Sequence, residues 1–547
     1  MQAYSKVVDY VVIGAGTAGC VIANRLSEDS DCSVLLLEAG GRDWHPLLRM
    51  PVAFVKAMQA PAFNWRYKSE PEPHLNGREI EVPRGRVLGG SSSINGMFHI
   101  RGHQRDFDEW HALGCEGWAY ADVLPYFKRY EASWRGAGQF HGAKGPVSVR
   151  AIDTSKLVSE PLKQAAIEAG YRLTDDYDGQ LQEGFGCGDV TIDAKGRRAS
   201  TSRAYLHPVR SRPNLGVETR ALTHKILIEN GRAVGVEYSR SGQLFRVRAM
   251  REVVVSGGAY NSPQLLMLSG IGPADDVRRC GIEPIVDLPG VGRNLVEHAR
   301  LPLTFLASSP VTFTRELRLD RAALSVLRWA LLGKGPFATQ ICSGTFLLRT
   351  LPELERPDIQ MLCNPVAMDA RLWFPGAIPA KPHSFYVTLC LAHQKSRGHM
   401  TLRSASPSDA PRISFNLFSD PEDLATMRRG IRAARAIYRC GPQAALTGRE
   451  ILPGDAAVSD AALNAAIAQY AGITHHPIGT CKMGLDRDAV VDPQLRVRGV
   501  AGLRVADASV MPTIPGANTM AATIMIGEKA SDLIRGRKLA PEYVGRG

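Results

Sequence analysis

The sequence predicts an α/β fold organised around a Rossmann-type dinucleotide-binding domain with a parallel sheet, and three observations carry that prediction. A β-branched run, Val7-Val8-Asp9-Tyr10-Val11-Val12-Ile13, leads directly into Gly14-Ala15-Gly16-Thr17-Ala18-Gly19. An amphipathic helical stretch then runs to about Leu26, and a second apolar strand, residues 33–37, ends at Glu38. Finally, 547 residues with 44% hydrophobic and 22% charged side chains describe a chain that buries a large core and is not disordered.

Each N-terminal element has a physical reason. The first strand is apolar at successive positions, as a strand covered on both faces requires. Gly14 permits a tight turn, and Gly16 lets backbone approach a pyrophosphate with no Cβ in the way. Gly19 allows the helix to pack closely on the strand, and the helix N-terminus offers unpaired N–H groups to phosphates. Glu38, at the tip of the second strand, is placed to accept hydrogen bonds from ribose hydroxyls. The acid argues against a 2′-phosphate, hence against NADP, and does not separate NAD from FAD. Farther on, residues 83–96 are too dense in glycine and serine for a helix or strand, and they offer many N–H groups and hydroxyls to an anionic or carbonyl-rich ligand. Residues 385–391 and 402–418 read as strands between proline-rich breaks. Residues 322–332, with Arg321, Arg328 and Lys334 around them, read as an amphipathic helix. Burial against a sheet is the expectation for it, and a membrane-surface contact is the other reading.

Composition excludes several classes. The net charge is +12, but the arginines are scattered and no basic run alternates with aromatics, so no nucleic acid is expected. Ten cysteines without a CxxC pair or metal-ligand spacing predict reduced thiols, no disulfide framework and no metal site. No signal-peptide pattern and no long apolar run are present, which predicts a cytoplasmic location, with peripheral contact at the inner face of the cell membrane left open.

The glycine fingerprint and four later blocks resemble the glucose-methanol-choline (GMC) oxidoreductase family, and within it the branch of bacterial choline dehydrogenases and aliphatic alcohol dehydrogenases. The later blocks are PRGRVLGGSSSINGMFHIRG at 83–102, GGAYNSPQLL at 257–266, HPIGTCKMG at 476–484, and RVADAS at 504–509 running into PGANT at 515–519. They follow the family's order over nearly the whole chain. The resemblance implies FAD as cofactor, in a discontinuous domain made of residues 1–155, 191–300 and 481–547. A substrate domain, 156–190 and 301–480, is implied as an α+β unit whose antiparallel sheet roofs the flavin. Besides Gly14, Gly16, Gly19 and Glu38, the implied cofactor contacts are Thr17, Ala18, Ala39, Val87, Gly89, Gly90, Ser91, Asn95, Gly96, Met97, Leu222, Gly257, Asp507, Ala508, Asn518 and Thr519. Asp507 is expected at the ribityl or pyrophosphate portion, or else as a cap for the segment after it. Ile94 stands where some relatives attach FAD through a histidine, so dissociable FAD is expected.

The resemblance also places the chemistry. A flavin-dependent alcohol oxidation needs an acceptor for the hydroxyl proton and a group that holds the developing alkoxide. The family's H-x-x-G-T block puts the first role on His476, and the C-terminal block puts the second on Asn518, which cannot act as a base. His475 is expected to be a bystander bonded to backbone and turned away by extended geometry. His298, in a block similar to the family's N-L-x-D-H with Glu297 in place of Asp, is expected at a domain junction or near the flavin in a structural role. The implied substrate is a primary alcohol. Leu362, Met368, Leu372, Trp373 and Phe374 either line an apolar cavity or fill the domain core, Arg371 would suit an acidic substrate, and choline stays a candidate. A dehydrogenase passing electrons to quinone or cytochrome is preferred, an oxidase using O2 is the alternative, and a lyase or decarboxylase on the same fold is the rival.

Overall fold

The computed structural model describes residues 4–545. The chain begins with β1 (Lys6–Ile13), α1 (Thr17–Leu26) and β2 (Val34–Glu38). After a long excursion come β3 (Gly184–Gly186), β4 (Leu215–Thr219), β5 (Ala221–Glu229), β6 (Arg232–Arg240), β7 (Gln243–Val255) and α2 (Gly258–Leu268). Next are β8 (Ala299–Ala307), α3 (Leu319–Leu332), β9 (Gly344–Leu348), β10 (Ile359–Asn364) and β11 (Ser384–Leu391). The chain closes with α4 (Pro421–Tyr438), β12 (Thr447–Leu452), β13 (Leu503–Val505) and α5 (Met520–Ile534).

The first sheet runs β4-β2-β1-β7-β6-β5, with β13 beside β7. β1 lies parallel to both β2 and β7, β4 parallel to β2, and β13 parallel to β7, while β5 and β6 extend the sheet antiparallel. Val11, Val12, Leu35, Leu36, Val253 and Val254 are inaccessible, which explains the unbroken apolar runs of these strands. α5 is buried along nearly its whole length and lies on α1. The contact is close because Gly527 has no side chain: a Cβ there would stand 3.1 Å from the Ala18 carbonyl oxygen. Arg25 and Tyr205 both bond the buried Glu528 of α5, so that acid is paired.

The second sheet, β12-β8-β11-β10-β9-β3, is antiparallel throughout, with Gly472–Ile473 added beside β8. β8 alternates: Leu301, Leu303 and Phe305 are buried, and Phe305 stacks on Tyr438 of α4 at 4.9 Å, whereas Arg300, Pro302 and Thr304 are half-buried on the opposite face. That second face looks toward the glycine turn of the first sheet.

Three expectations change. Residues 402–418 are mostly turns: only Arg412–Ser414 is a strand, because Pro407 and Pro411 cannot donate to a ladder. The glycine- and serine-rich loop, 83–96, contains one 3-10 turn, Gly90–Ser93, and the short strand Phe98–His99 follows it. α3 buries only Ala322, Ser325 and Trp329, so it is not buried against a sheet: Leu327, Leu331 and Leu332 are 54%, 73% and 67% exposed. No helix among the described residues is long and apolar enough to cross a membrane.

Candidate active site

A cavity of about 940 Å³ separates the two sheets. Its floor is the first-sheet end, with Gly14, Gly16, Thr17 and Ala18 at the start of α1 and Glu38 and Ala39 at the tip of β2. α1 has no side-chain cap at Gly16, so its first-turn N–H groups are left for an anion. Glycine is required where the serine loop meets this floor. A Cβ on Gly90 would stand 2.7 Å from Gly16 Cα, so the serine loop lies directly on the turn, whereas the nearest atom to a Cβ on Gly16 is 3.8 Å away. Glu38 accepts from Ala15 N at 2.9 Å and Gly40 N at 2.7 Å, and burial pushes its carboxyl up to about 7.

All the expected cofactor contacts lie on this wall except Gly19, Val87 and Gly89. Gly19 faces the strand, where a Cβ would come within 1.9 Å of the Gly14 carbonyl oxygen. Val87 is buried in an apolar cluster with Leu48, Ala57 and Ile94. Gly89 donates its N–H to Ala15 O and packs on Ser93 and Ser202. These three build the cradle from behind.

Two arginines near this wall lack a carboxylate partner. Arg84 lines the cavity and donates to the His475 carbonyl at 2.7 Å, and burial lowers its pKa. Arg198 donates to the Asn95 carbonyl and side-chain oxygens at 2.6 and 2.7 Å, its Nε and Nη2 are buried without partners, and burial lowers its pKa to about 9. Buried cations held only by carbonyls favour an anionic ligand. The glycine cradle, the open helix N-terminus and these cations together fit a pyrophosphate-linked flavin.

At the far end of the cavity stand His476 and Asn518. Asn518 Nδ2 lies 3.2 Å from His476 Nε2, and its Oδ1 accepts from Gln360 Nε2 at 3.2 Å. His476 Nδ1 lies 3.0 Å from His298 Nδ1, and His298 Nε2 lies 3.1 Å from the Ala392 carbonyl. A carbonyl only accepts, so His298 carries its proton on Nε2; its Nδ1 then accepts from His476 Nδ1–H. The chain of bonds leaves the His476 lone pair on Nε2, facing Asn518 and the cavity. Burial, then the neighbouring His298, lowers the His476 pKa well below its ordinary value, so the ring is neutral near pH 7. Burial likewise holds His298 at about 3. Glu297 accepts the backbone N–H of His476 at 2.6 Å through Oε1, its Oε2 is buried without a partner, and burial pushes it up to about 8.

His475 is not the backbone-bonded bystander expected. Its φ of +68° breaks the extended geometry, its Nδ1 is buried without a partner, and the residue also lines the cavity. Asp507 does cap, accepting from Ser509 N at 2.8 Å, and also accepts from Gly258 N and the Ser262 hydroxyl. Leu362 lines the cavity, and Met368 and Leu372 line its mouth while remaining exposed, as is Phe374, so these three do not fill a core. Sequence reasoning missed Arg84, Gln360 and Arg300 on the wall and underrated Glu297 and His298; only the E-H of the N-L-x-D-H-like block signalled the last two. A buried trio elsewhere, His99, Glu131 and Asp178, is closed by Arg101 and Tyr130, which bond Glu131 and His99.

The GMC oxidoreductase family model matches residues 8–300 with its N-terminal part and 394–527 with its C-terminal part. The chain is 45% identical over 532 residues to an oxygen-dependent choline dehydrogenase of Rhizobium etli, covering 97% of this chain and 96% of that one. Among solved structures it is similar to pyridoxine 4-oxidase from Mesorbium loti, with a TM-score of 0.85, 29% identity, and 96% and 98% of the two chains covered. It is also similar to a formate oxidase variant from Aspergillus oryzae, with a TM-score of 0.89, 27% identity, and 98% and 99% covered.

Proposed function

The chain belongs to the GMC oxidoreductase family and is an FAD-dependent enzyme of the alcohol dehydrogenase/oxidase type; from that premise we propose that it converts a primary alcohol to an aldehyde, with His476 as base and Asn518 as the alkoxide's partner. The observation that carries this reading is the placement of a buried His476 on the cavity wall with its Nε2 3.2 Å from the Asn518 amide nitrogen, where burial favours the neutral ring. The hydroxyl proton passes to His476 Nε2. The Asn518 amide N–H donates to the oxygen as its charge develops, and Gln360 keeps that amide from rotating. FAD, when bound, supplies the acceptor for the hydride that leaves the carbinol carbon. Loss of one proton and one hydride leaves the aldehyde. Cofactor contact is assigned to the cradle residues on the wall, within the division of the chain into 1–155, 191–300 and 481–547 for FAD and 156–190 and 301–480 for substrate. Ile94 offers no nucleophile to the flavin, which supports dissociable FAD.

Anaerobic mixing of the holoenzyme with a panel of primary alcohols tests this reading. An alcohol of the right class bleaches the flavin band, and His476→Gln, still yellow, bleaches about 10²–10⁴-fold more slowly. If no alcohol bleaches it, the lyase or decarboxylase reading takes over. Dye reduction exceeding peroxide release in air would support the dehydrogenase over the oxidase.

The exposed face of α3 supports a second element of the proposal, contact with an anionic lipid surface. Leu324, Leu327 and Leu331 form one outward ridge with Arg321 and Arg328 beside it, and Met368, Leu372 and Phe374 continue the apolar surface at the cavity mouth. Such a contact would place the mouth near a membrane-borne electron acceptor.

A further inference from the structure

The charged groups on the cavity wall are unevenly distributed. Three acids line it. Glu38 is held by backbone at the first-sheet end, Asp507 is occupied by Gly258, Ser262 and Ser509, and Asp369 is at the exposed mouth, bonded to Lys381. None stands beside His476 and Asn518. Of the cations that line the cavity, Arg84 is turned to the His475 carbonyl, and Arg300 stands on the antiparallel sheet that also carries Gln360.

Strand register places it. Gln360 of β10 is opposite Cys390 of β11, and Cys390 is opposite Arg300 of β8, so the three form one cross-strand row. All three line the cavity, and Gln360 at one end of the row touches Asn518. Neighbours in such a row stand about 5 Å apart, so Arg300 begins about 10 Å from Gln360, and its long side chain starts from the same face of the sheet. Its Nε donates to the Ile473 carbonyl at 2.7 Å and its Nη1 to the Tyr386 hydroxyl at 2.9 Å. Both partners are neutral, and no carboxylate among the described residues lies within ion-pair distance. The guanidinium is thus oriented by two bonds, with its Nη2 edge unassigned. Tyr386, the aromatic ring nearest in this row pattern, is bonded to the guanidinium, so it is unsuited to form a cage for a cation.

We propose that Arg300 makes this a site for alcohols that carry a carboxylate, its fork receiving the anionic end while the carbinol reaches His476, and that it disfavours alcohols carrying a quaternary ammonium. The row length calls for a spacer between the two ends, and Leu362 and Thr388 in the next row give that spacer a mixed wall. The inference deepens the proposed oxidation and rests on it. Charge-assisted hydrogen bonds to an oriented fork set the expected preference at about 10- to 100-fold.

The test uses the FAD-loaded enzyme and four probes: 4-hydroxybutyrate, 6-hydroxyhexanoate, neutral 1-hexanol and cationic choline. Anaerobic flavin bleaching gives kcat/KM for each, and hexanoate, which has no hydroxyl, is titrated as a ligand by its perturbation of the flavin spectrum. The expected result is a hydroxycarboxylate ahead of the neutral alcohol by about 10- to 100-fold and choline last. Arg300→Gln collapses the ratio of carboxylated to neutral substrate, and Arg300→Lys, which keeps the charge without the fork, retains part of it. If choline or hexanol leads in the unmodified enzyme, or if Arg300→Gln leaves the ratio unmoved, the anion site is refuted while alcohol oxidation stands. If nothing bleaches the flavin but hexanoate still binds in an Arg300-dependent way, oxidation fails and the anion site survives.

Discussion

A histidine serves as a base only if it is neutral, correctly tautomeric and held still, and burial and two neighbours give the proposed base, His476, those properties. Burial keeps it neutral, His298 accepts the hydrogen bond from its Nδ1–H, and Glu297 fixes its backbone through the 2.6 Å bond to its N–H. Glu297 carries a pH signature. Its folded pKa, about 8, is raised above the ordinary carboxyl value of 4.5. The folded state therefore holds a proton that the unfolded state releases, and this contribution is full below 4.5 and lost as pH rises through about 8. Glu297→Gln keeps an acceptor for the His476 N–H but cannot ionise. The thermal midpoint of that variant should match the parent near pH 4.5 and exceed it by pH 8.5, a difference that subtracts out the other titrating groups; parallel curves would sink the idea. His475 beside it, with a positive φ and an unpartnered Nδ1, lines the same cavity, which shows why two adjacent histidines cannot be ranked from spacing alone.

Among the elements, α3 departs most from what a helical pattern implies. Its apolar residues recur at helical spacing, yet the narrow buried stripe is Ala322, Ser325 and Trp329, and the larger leucines face outward. Periodicity reports that a helix has two faces and is silent on which one meets protein. If that ridge meets lipid, the holoenzyme should sediment with vesicles containing anionic lipid at low salt and release as salt screens Arg321 and Arg328. Leu327→Glu with Leu331→Glu should cut the bound fraction about tenfold while the flavin spectrum and turnover of a water-soluble alcohol are kept. Unmodified protein that stays in the supernatant at low salt would end the proposal. The β8, β11 and β10 ladder makes the complementary point: strand character was legible at residues 385–391, but the row joining Gln360, Cys390 and Arg300 exists only through register.

For the whole molecule, the cavity proposed to hold the flavin lies between two sheets, each assembled from distant stretches of chain. β13 and α5, from the C-terminal end, complete the sheet begun by β1 and pack on α1. A ligand that fills the space between the sheets should stabilise them jointly. Protein stripped of flavin in mild chaotropic salt should melt lower and recover on FAD addition, with about 2.7 kcal/mol expected at 100 times Kd. Acid precipitation should leave a colourless pellet, since Ile94, buried with Val87, has no atom with which to link the flavin. A yellow pellet would refute dissociable binding.

The dinucleotide unit was legible in the linear sequence because its determinants are local: a buried parallel strand, glycines where a Cβ would strike the Gly14 carbonyl or the facing loop, and Glu38 at the strand tip. The His476 and Asn518 pair was legible through short motifs, since each sits in a turn whose glycines and prolines leave a residue-level mark. What only the tertiary structure decided are relations between positions far apart in sequence: the His298 proton that sets the His476 tautomer, the Gln360 bond that orients Asn518, the lack of a carboxylate partner for Arg300 among the described residues, and the outward face of α3. Local chemistry writes itself into neighbouring residues, whereas charge balance, tautomer and exposure depend on what the fold brings alongside.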